Sequence, residues 1–156
     1  MLHRIDATYH QASFSRSSCA WLTIDDVAIE QWLSSHLNEP DVAKLGLSLM
    51  WLLDEDEDAL AKRRFIPGQE GTSTIVPLLV CSDDMDFDCT VMVAEQVVEG
   101  DIVRWARFGW SVSGKLEVGV STRWDANSQP VCFDLVNFNA ALEKFDGLIK
   151  KHTASL

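Results

Sequence analysis

The chain has 156 residues, 47% of them apolar, which suits a single domain over residues 1–156 with its own hydrophobic core and excludes a disordered chain. Basic residues number 13 against 24 acidic ones, a formal net charge of −11. That balance argues against a binder of nucleic-acid phosphates, which needs a basic surface, and fits fast association with a basic protein.

No apolar run nears the roughly 20 residues of a membrane helix, and MLHRIDATYHQASFSRSS at the start has no apolar signal core. The expectation is a cytoplasmic protein with no membrane partner. Its four cysteines, at 19, 81, 89 and 132, are then reduced thiols. None forms a C-x-x-C pair, so thioredoxin-like chemistry and the ordinary zinc knuckle are absent.

In chain order, TYHQASF (8–14) and CAWLTI (19–24) read as two edge strands joined by polar SRSS. IDDVAIEQWLSSHL follows with helical spacing of Ile29, Trp32, Leu33, His36 and Leu37, and Asp25 or Asp26 is placed to cap it. Asn38 before Pro40 reads as the cap of a second helix, VAKLGLSLMWLL, apolar nearly all round and therefore buried. DEDEDALAKRRF predicts a short helix, capped by Asp54 and Glu57 and closed by Lys62, Arg63 and Arg64, with Asp58 and Lys62 paired at i,i+4.

From Thr74 the period becomes strand-like. STIVPLLVC, CTVMVAEQVV, DIVRWARFGWSV and KLEVGVSTRW predict an antiparallel meander, with turns at Glu99-Gly100-Asp101 and Ser113-Gly114-Lys115. Pro77 must sit where the ladder needs no N–H. Trp105 and Trp110, five residues apart on one strand, are expected on opposite faces. DLVNFNAALEKFDGLIKKH closes the chain as a helix with one apolar stripe through Phe138, Ala141, Leu142, Phe145, Leu148 and Ile149. The predicted fold is α+β, an antiparallel meander of about four to six strands with helices packed on one face.

Two acidic segments are the candidate site. CSDDMDFDC at 81–89 places four aspartates between two cysteines. Asp84-x-Asp86-x-Asp88, with Glu95 at the twelfth position, has the carboxylate spacing of a calcium loop. Its sixth position is Cys89 where glycine is wanted, and its flanks are strand-like rather than helical. Cys81 and Cys89 are soft zinc ligands that an aspartate or His36 could complete, although their separation is unusual for zinc. They could also form a disulfide across the loop, which a reducing compartment disfavours. The plain alternative is a hairpin tip that is acidic because it faces water. Asp54, Glu55, Asp56, Glu57 and Asp58 form the second segment. Helix capping explains two of these five acids and leaves the others for binding.

Nucleophilic catalysis has little support. No G-x-S-x-G elbow or phosphate loop is present, and His36 lies on an apolar stripe.

Several motifs together resemble a group of small acidic bacterial proteins: I-D-D-V-x-x-x-x-W-L at 24–33, W-L-L-D-x-x-E at 51–57, V-P-L-L-V-C-S-D-D-M-D-F-D-C-T-V at 76–91 and G-D-x-V-x-W-x-R-F-G at 100–109. That resemblance brings no catalytic residue. Small size, acidity and the lack of a catalytic signature also resemble, in type, the immunity proteins of contact-dependent growth inhibition. Such a likeness implies a non-enzymatic protein that binds one cognate toxin domain, a basic nuclease-type partner, without a cofactor. The partner-binding residues would be Asp54, Glu55, Asp56, Glu57, Asp58, Asp83, Asp84, Asp86 and Asp88. The alternatives are a metal-dependent or carboxylate-based enzyme using the 81–89 loop, or an acidic housekeeping binding protein.

Overall fold

The computed structural model describes residues 1–50 and 52–154. Trp51, assigned above to a buried helix, lies outside them.

The fold is α+β, as composition and periodicity indicate. A small sheet comes first, from β2 (Ile5–His10), β3 (Cys19–Ile24) and β4 (Val27–Ala28). Its strands β2 and β3 pair antiparallel along their whole length, His10 opposite Cys19. Asp25 and Asp26 do not cap a helix. Both have positive φ, 51° and 68°, and form the two-residue turn between β3 and β4. The Asp25 carboxylate accepts from the Arg4 backbone N–H and bonds His3 Nδ1 at 2.6 Å. Helix α1 (Ile29–Leu37) therefore starts later, with Ala28 as a cap that makes no side-chain bond. Asn38 also changes role: at φ 54° it is the left-handed C-cap of α1, its N–H reaching the carbonyls of Ser34 and Ser35.

The expected helix over 42–53 does not form. Pro40–Lys44 is a short 3-10 turn, Leu45 is extended, and β5 (Gly46–Leu47) joins the edge of the main sheet. Ser48 then turns the chain, donating to the Pro77 carbonyl at 2.5 Å and receiving the reason for its burial there. Leu45, Leu47, Leu49, Met50 and Leu52 are all buried, so the apolar reading held while its period misled. A continuous apolar run does not distinguish a buried helix from buried extended chain.

The main sheet is built from β1 (Leu2–His3), β5, β6 (Ser73–Val80), β7 (Val91–Glu99), β8 (Ile102–Ser111), β9 (Thr122–Trp124) and β10 (Val131–Asp134). Their order is β1–β10–β8–β7–β6–β5, with β9 also on β8. Strands β6 to β8 are the expected meander, and Gly100 at φ 59° opens the tight turn between β7 and β8. Pro77 lies at a register shift of β6. The expected strand over 115–124 is cut to three residues. Lys115–Glu117 is a 3-10 turn, and Gly119 takes φ 78°, a conformation strands do not use.

Trp105 and Trp110 share a face. The ladder pairs Ala94 with Phe108 and Gln96 with Trp105, so β8 carries one extra residue, a bulge at Ala106–Arg107. That residue resets the alternation, and Trp105, Phe108 and Trp110 all meet the larger core. There Trp105 packs edge-on against Phe108, Phe133 and Phe138, beneath the small sheet, α1 and α3 (Leu135–Ala154). Asn137 on α3 grips both the N–H and the carbonyl of Ile5, each at 3.0 Å, and so fixes the small sheet to the last helix. A smaller core lies on the other face of the main sheet. It gathers Val80, Phe87, Val91, Val93 and Val118 with Leu60 and Ala61 of α2 (Glu55–Phe65).

Candidate functional site

The two acidic segments, 27 residues apart from Asp56 to Asp83, are side by side. Asp54 is the N-cap of α2, its carboxylate accepting from the N–H groups of Asp56 and Glu57. The expected reciprocal bond from Glu57 is absent. Glu57 instead turns inward, 3% exposed, and accepts from the Phe87 N–H at 2.7 Å. A second tie runs from the Leu53 N–H to the Met85 carbonyl at 3.2 Å. These bonds, with Phe87 buried in the smaller core, hold the 81–89 loop against the start of α2.

Asp58 bonds Lys62 at 2.7 Å, the expected i,i+4 pair, and also accepts from the Leu52 N–H. Arg64, at the far end of α2, donates to the Ile75 and Val118 carbonyls and ties the helix to the sheet. The acids of α2 thus divide into three with structural work, Asp54, Glu57 and Asp58, and two without, Glu55 and Asp56. Glu57 belongs to the scaffold and is not available to a partner.

Within the loop, Met85 N–H reaches the Cys81 carbonyl at 2.9 Å and Met85 takes φ 46°, which makes the turn. Asp86 accepts from the Asp88 N–H. Asp83, Asp84 and Asp88 are exposed. Among the described residues only Asp58 of the nine candidate acids has an ion pair, so apart from buried Glu57 the others leave an uncompensated negative surface. Leu53, 77% exposed, stands at its edge.

The calcium-loop reading does not survive this geometry. The loop joins strands β6 and β7, and Glu95 sits on β7 paired with Arg107 at 3.4 Å. His36 is not near the loop's chemistry either. It stacks on Trp32 at 4.7 Å and bonds the Gln129 carbonyl, a satisfied histidine. Cys81 and Cys89 are free thiols, and one ligand atom from each of Cys81, Asp84 and Cys89 lies within 4.8 Å of the others. The Cys89 thiol is raised above its ordinary pKa, first by its hydrogen bond with Cys81 and further by one with Asp84.

Burial raises the pKa of Glu57, and the neighbouring Asp54, Asp88 and Asp86 add to this, while the Phe87 N–H opposes it. The folded state therefore holds this proton more tightly than the unfolded chain. Its contribution is complete below the unfolded pKa and is lost as pH rises through the folded one. A Glu57→Gln variant keeps an acceptor for Phe87 and removes that loss. Its melting temperature should fall less than the wild type's between the two pKa values, read by circular dichroism; parallel profiles would exclude the linkage.

One polar site escaped the sequence reading. Glu30 on α1 is fully buried, accepting from Trp21 Nε1 at 2.9 Å and bonding His10 Nε2 at 3.1 Å. Separately, a groove of about 520 Å³ between α2 and α3 is lined by Leu49, Phe65, Leu142, Phe145 and Ile149, and none of the nine acids borders it. Among the described residues, no helix is long and apolar enough to cross a membrane.

Compared with protein-family models, with curated proteins and with solved structures, the chain matches none.

Proposed function

We propose that this protein is a binding module that neutralises a basic bacterial toxin domain, an immunity protein that works by occupying the toxin's substrate cleft. The observation that carries this reading is that Glu55, Asp56, Asp83, Asp84 and Asp88, on two segments tied together by the Glu57–Phe87 and Leu53–Met85 bonds, are all exposed and have no ion pair among the described residues. A nuclease-type toxin has a basic cleft because it holds phosphates. An acidic face steers such a partner into place and selects against others. Exposed charge pairs contribute only about 0–1 kcal/mol each, so an apolar anchor must add affinity, and Leu53 is placed to do so.

The acids to test are the ones with no structural work. Asp86 and Asp54 hold turns and Asp84 bonds Cys89, so reversing them would confuse folding with binding. Glu55→Lys, Asp56→Lys and Asp83→Lys combined leave every observed bond intact. The partner to use is the purified product of the neighbouring gene, because an immunity gene lies beside its toxin gene. The triple variant should fold normally and associate at least roughly ten-fold more slowly at low salt, with the difference shrinking as salt rises. Unchanged association, together with full protection of cells expressing the toxin, would remove this face from the contact.

A further inference from the structure

We propose that Cys81, Cys89 and Asp84 bind one soft divalent transition-metal ion, zinc by ligand chemistry, with a fourth position left to water or to a donor from another molecule. Two thiols and a carboxylate favour zinc over calcium or magnesium, which take oxygen ligands. Two thiolates on one tetrahedral zinc, each at about 2.3 Å, stand roughly 3.8 Å apart. The three ligand atoms already lie within 4.8 Å of one another, so binding needs an inward movement of about 1 Å or less from each.

The scaffold around the cluster is set independently of the metal. The Cys81 N–H bonds the Thr90 carbonyl at 3.0 Å, which fixes the loop's neck. The Met85 turn brings Asp84 back over the neck, and Glu57 and Phe87 anchor the loop's far side. Cys89 also borders a cleft of about 250 Å³ shared with Trp110 and Arg123, which supplies an entry path. A disulfide would account for the two cysteines and leave the placement of Asp84 without a part; a metal employs all three. Binding converts two thiols to thiolates and releases two protons as the cation enters, so charge balances.

The experiment uses the full chain, reduced and stripped of metal with a chelator, its thiols counted before titration with cobalt(II). One cobalt per chain should bind, with a thiolate charge-transfer band in the near ultraviolet, two protons released, and displacement by one equivalent of zinc. Cys89→Ser, at an exposed position, should remove most of the band while keeping the wild-type circular dichroism. Asp84→Asn should keep the band and weaken binding by at least the roughly 10–100-fold typical of lost supporting groups. Absence of the band with all thiols reduced, or a band that persists in Cys89→Ser, would overturn the site. So would a Cys81–Cys89 disulfide that forms in air when the re-reduced chain takes up no cobalt. No toxin is needed, so this result stands apart from the partner experiment.

Discussion

Truncating Trp105 to alanine should destabilise the fold by about 3–5 kcal/mol, the range for large aromatic side chains removed from a packed core. Trp105 is completely buried and is the ring on which Phe108, Phe133 and Phe138 converge. Its loss also leaves a polar orphan. Trp105 Nε1 donates to Gln96 Oε1 at 2.9 Å, and Gln96 Nε2 in turn donates to the Phe65 carbonyl. Gln96 is buried, so its freed oxygen has no water to turn to. Trp105→Phe separates the two effects, since it restores much of the volume and none of the hydrogen bond. Urea midpoints should rank wild type above Trp105→Phe and that above Trp105→Ala. A Trp105→Ala loss under about 1 kcal/mol would mean the core closes over the gap.

Glu30→Ala should cost about 1–3 kcal/mol, for a different reason. Its carboxylate sits fully buried at the start of α1 and serves both Trp21 and His10. Alanine removes the acceptor and strands the Trp21 N–H in an apolar setting. Glu30→Gln keeps one oxygen for the Trp21 N–H and should be intermediate, because it replaces the second carboxylate oxygen, which bonds His10 Nε2, by an amide nitrogen. Replacing Trp21 with Phe in the same background should then cost less than it does in the wild type. The coupling, measured by a double-mutant cycle in urea, checks that the two side chains act through one bond. Additive losses would show that the Trp21–Glu30 bond contributes nothing to stability beyond the two side chains taken separately.

What the sequence disclosed follows from where local rules and tertiary demands agree. Strands β6, β7 and β8 are rich in β-branched and aromatic residues, and the tight turn at Gly100 joins β7 to β8, so composition and pairing agree there. The order of charges in α2 announces a cap and a dipole, and both are present. Segments that take their shape from neighbours were misread. Leu45, Leu47, Leu49, Met50 and Leu52 are apolar because they are enclosed, and the extended course of Gly46 and Leu47 is imposed by the edge of β6. β10 is four residues long, follows Pro130, and exists because β8 and β1 pair with it. The bulge in β8 has no glycine to mark it, so Trp110 went to the wrong face.

The candidate site was half legible. Both acidic segments stood out by composition, and their adjacency did not, because it rests on Glu57 reaching Phe87 across the fold. A signal was available: Glu57 shares a helical face with Leu60 and Ala61, and Glu30 shares one with Leu33 and Leu37. An acid on an apolar stripe marks a carboxylate that must be satisfied inside.

The union of the chain's two ends bears on how the protein is made. β1 lies parallel to β10, and the small sheet is fixed by Asn137 on α3. On the ribosome, the first hairpin emerges with Ile5, Leu22 and Ile24 bare and waits for more than a hundred residues of synthesis before its cover arrives. Contacts so distant in sequence form slowly. During that wait the nascent chain is a natural client for chaperones, and its dense negative charge keeps neighbouring copies apart until α3 closes the fold.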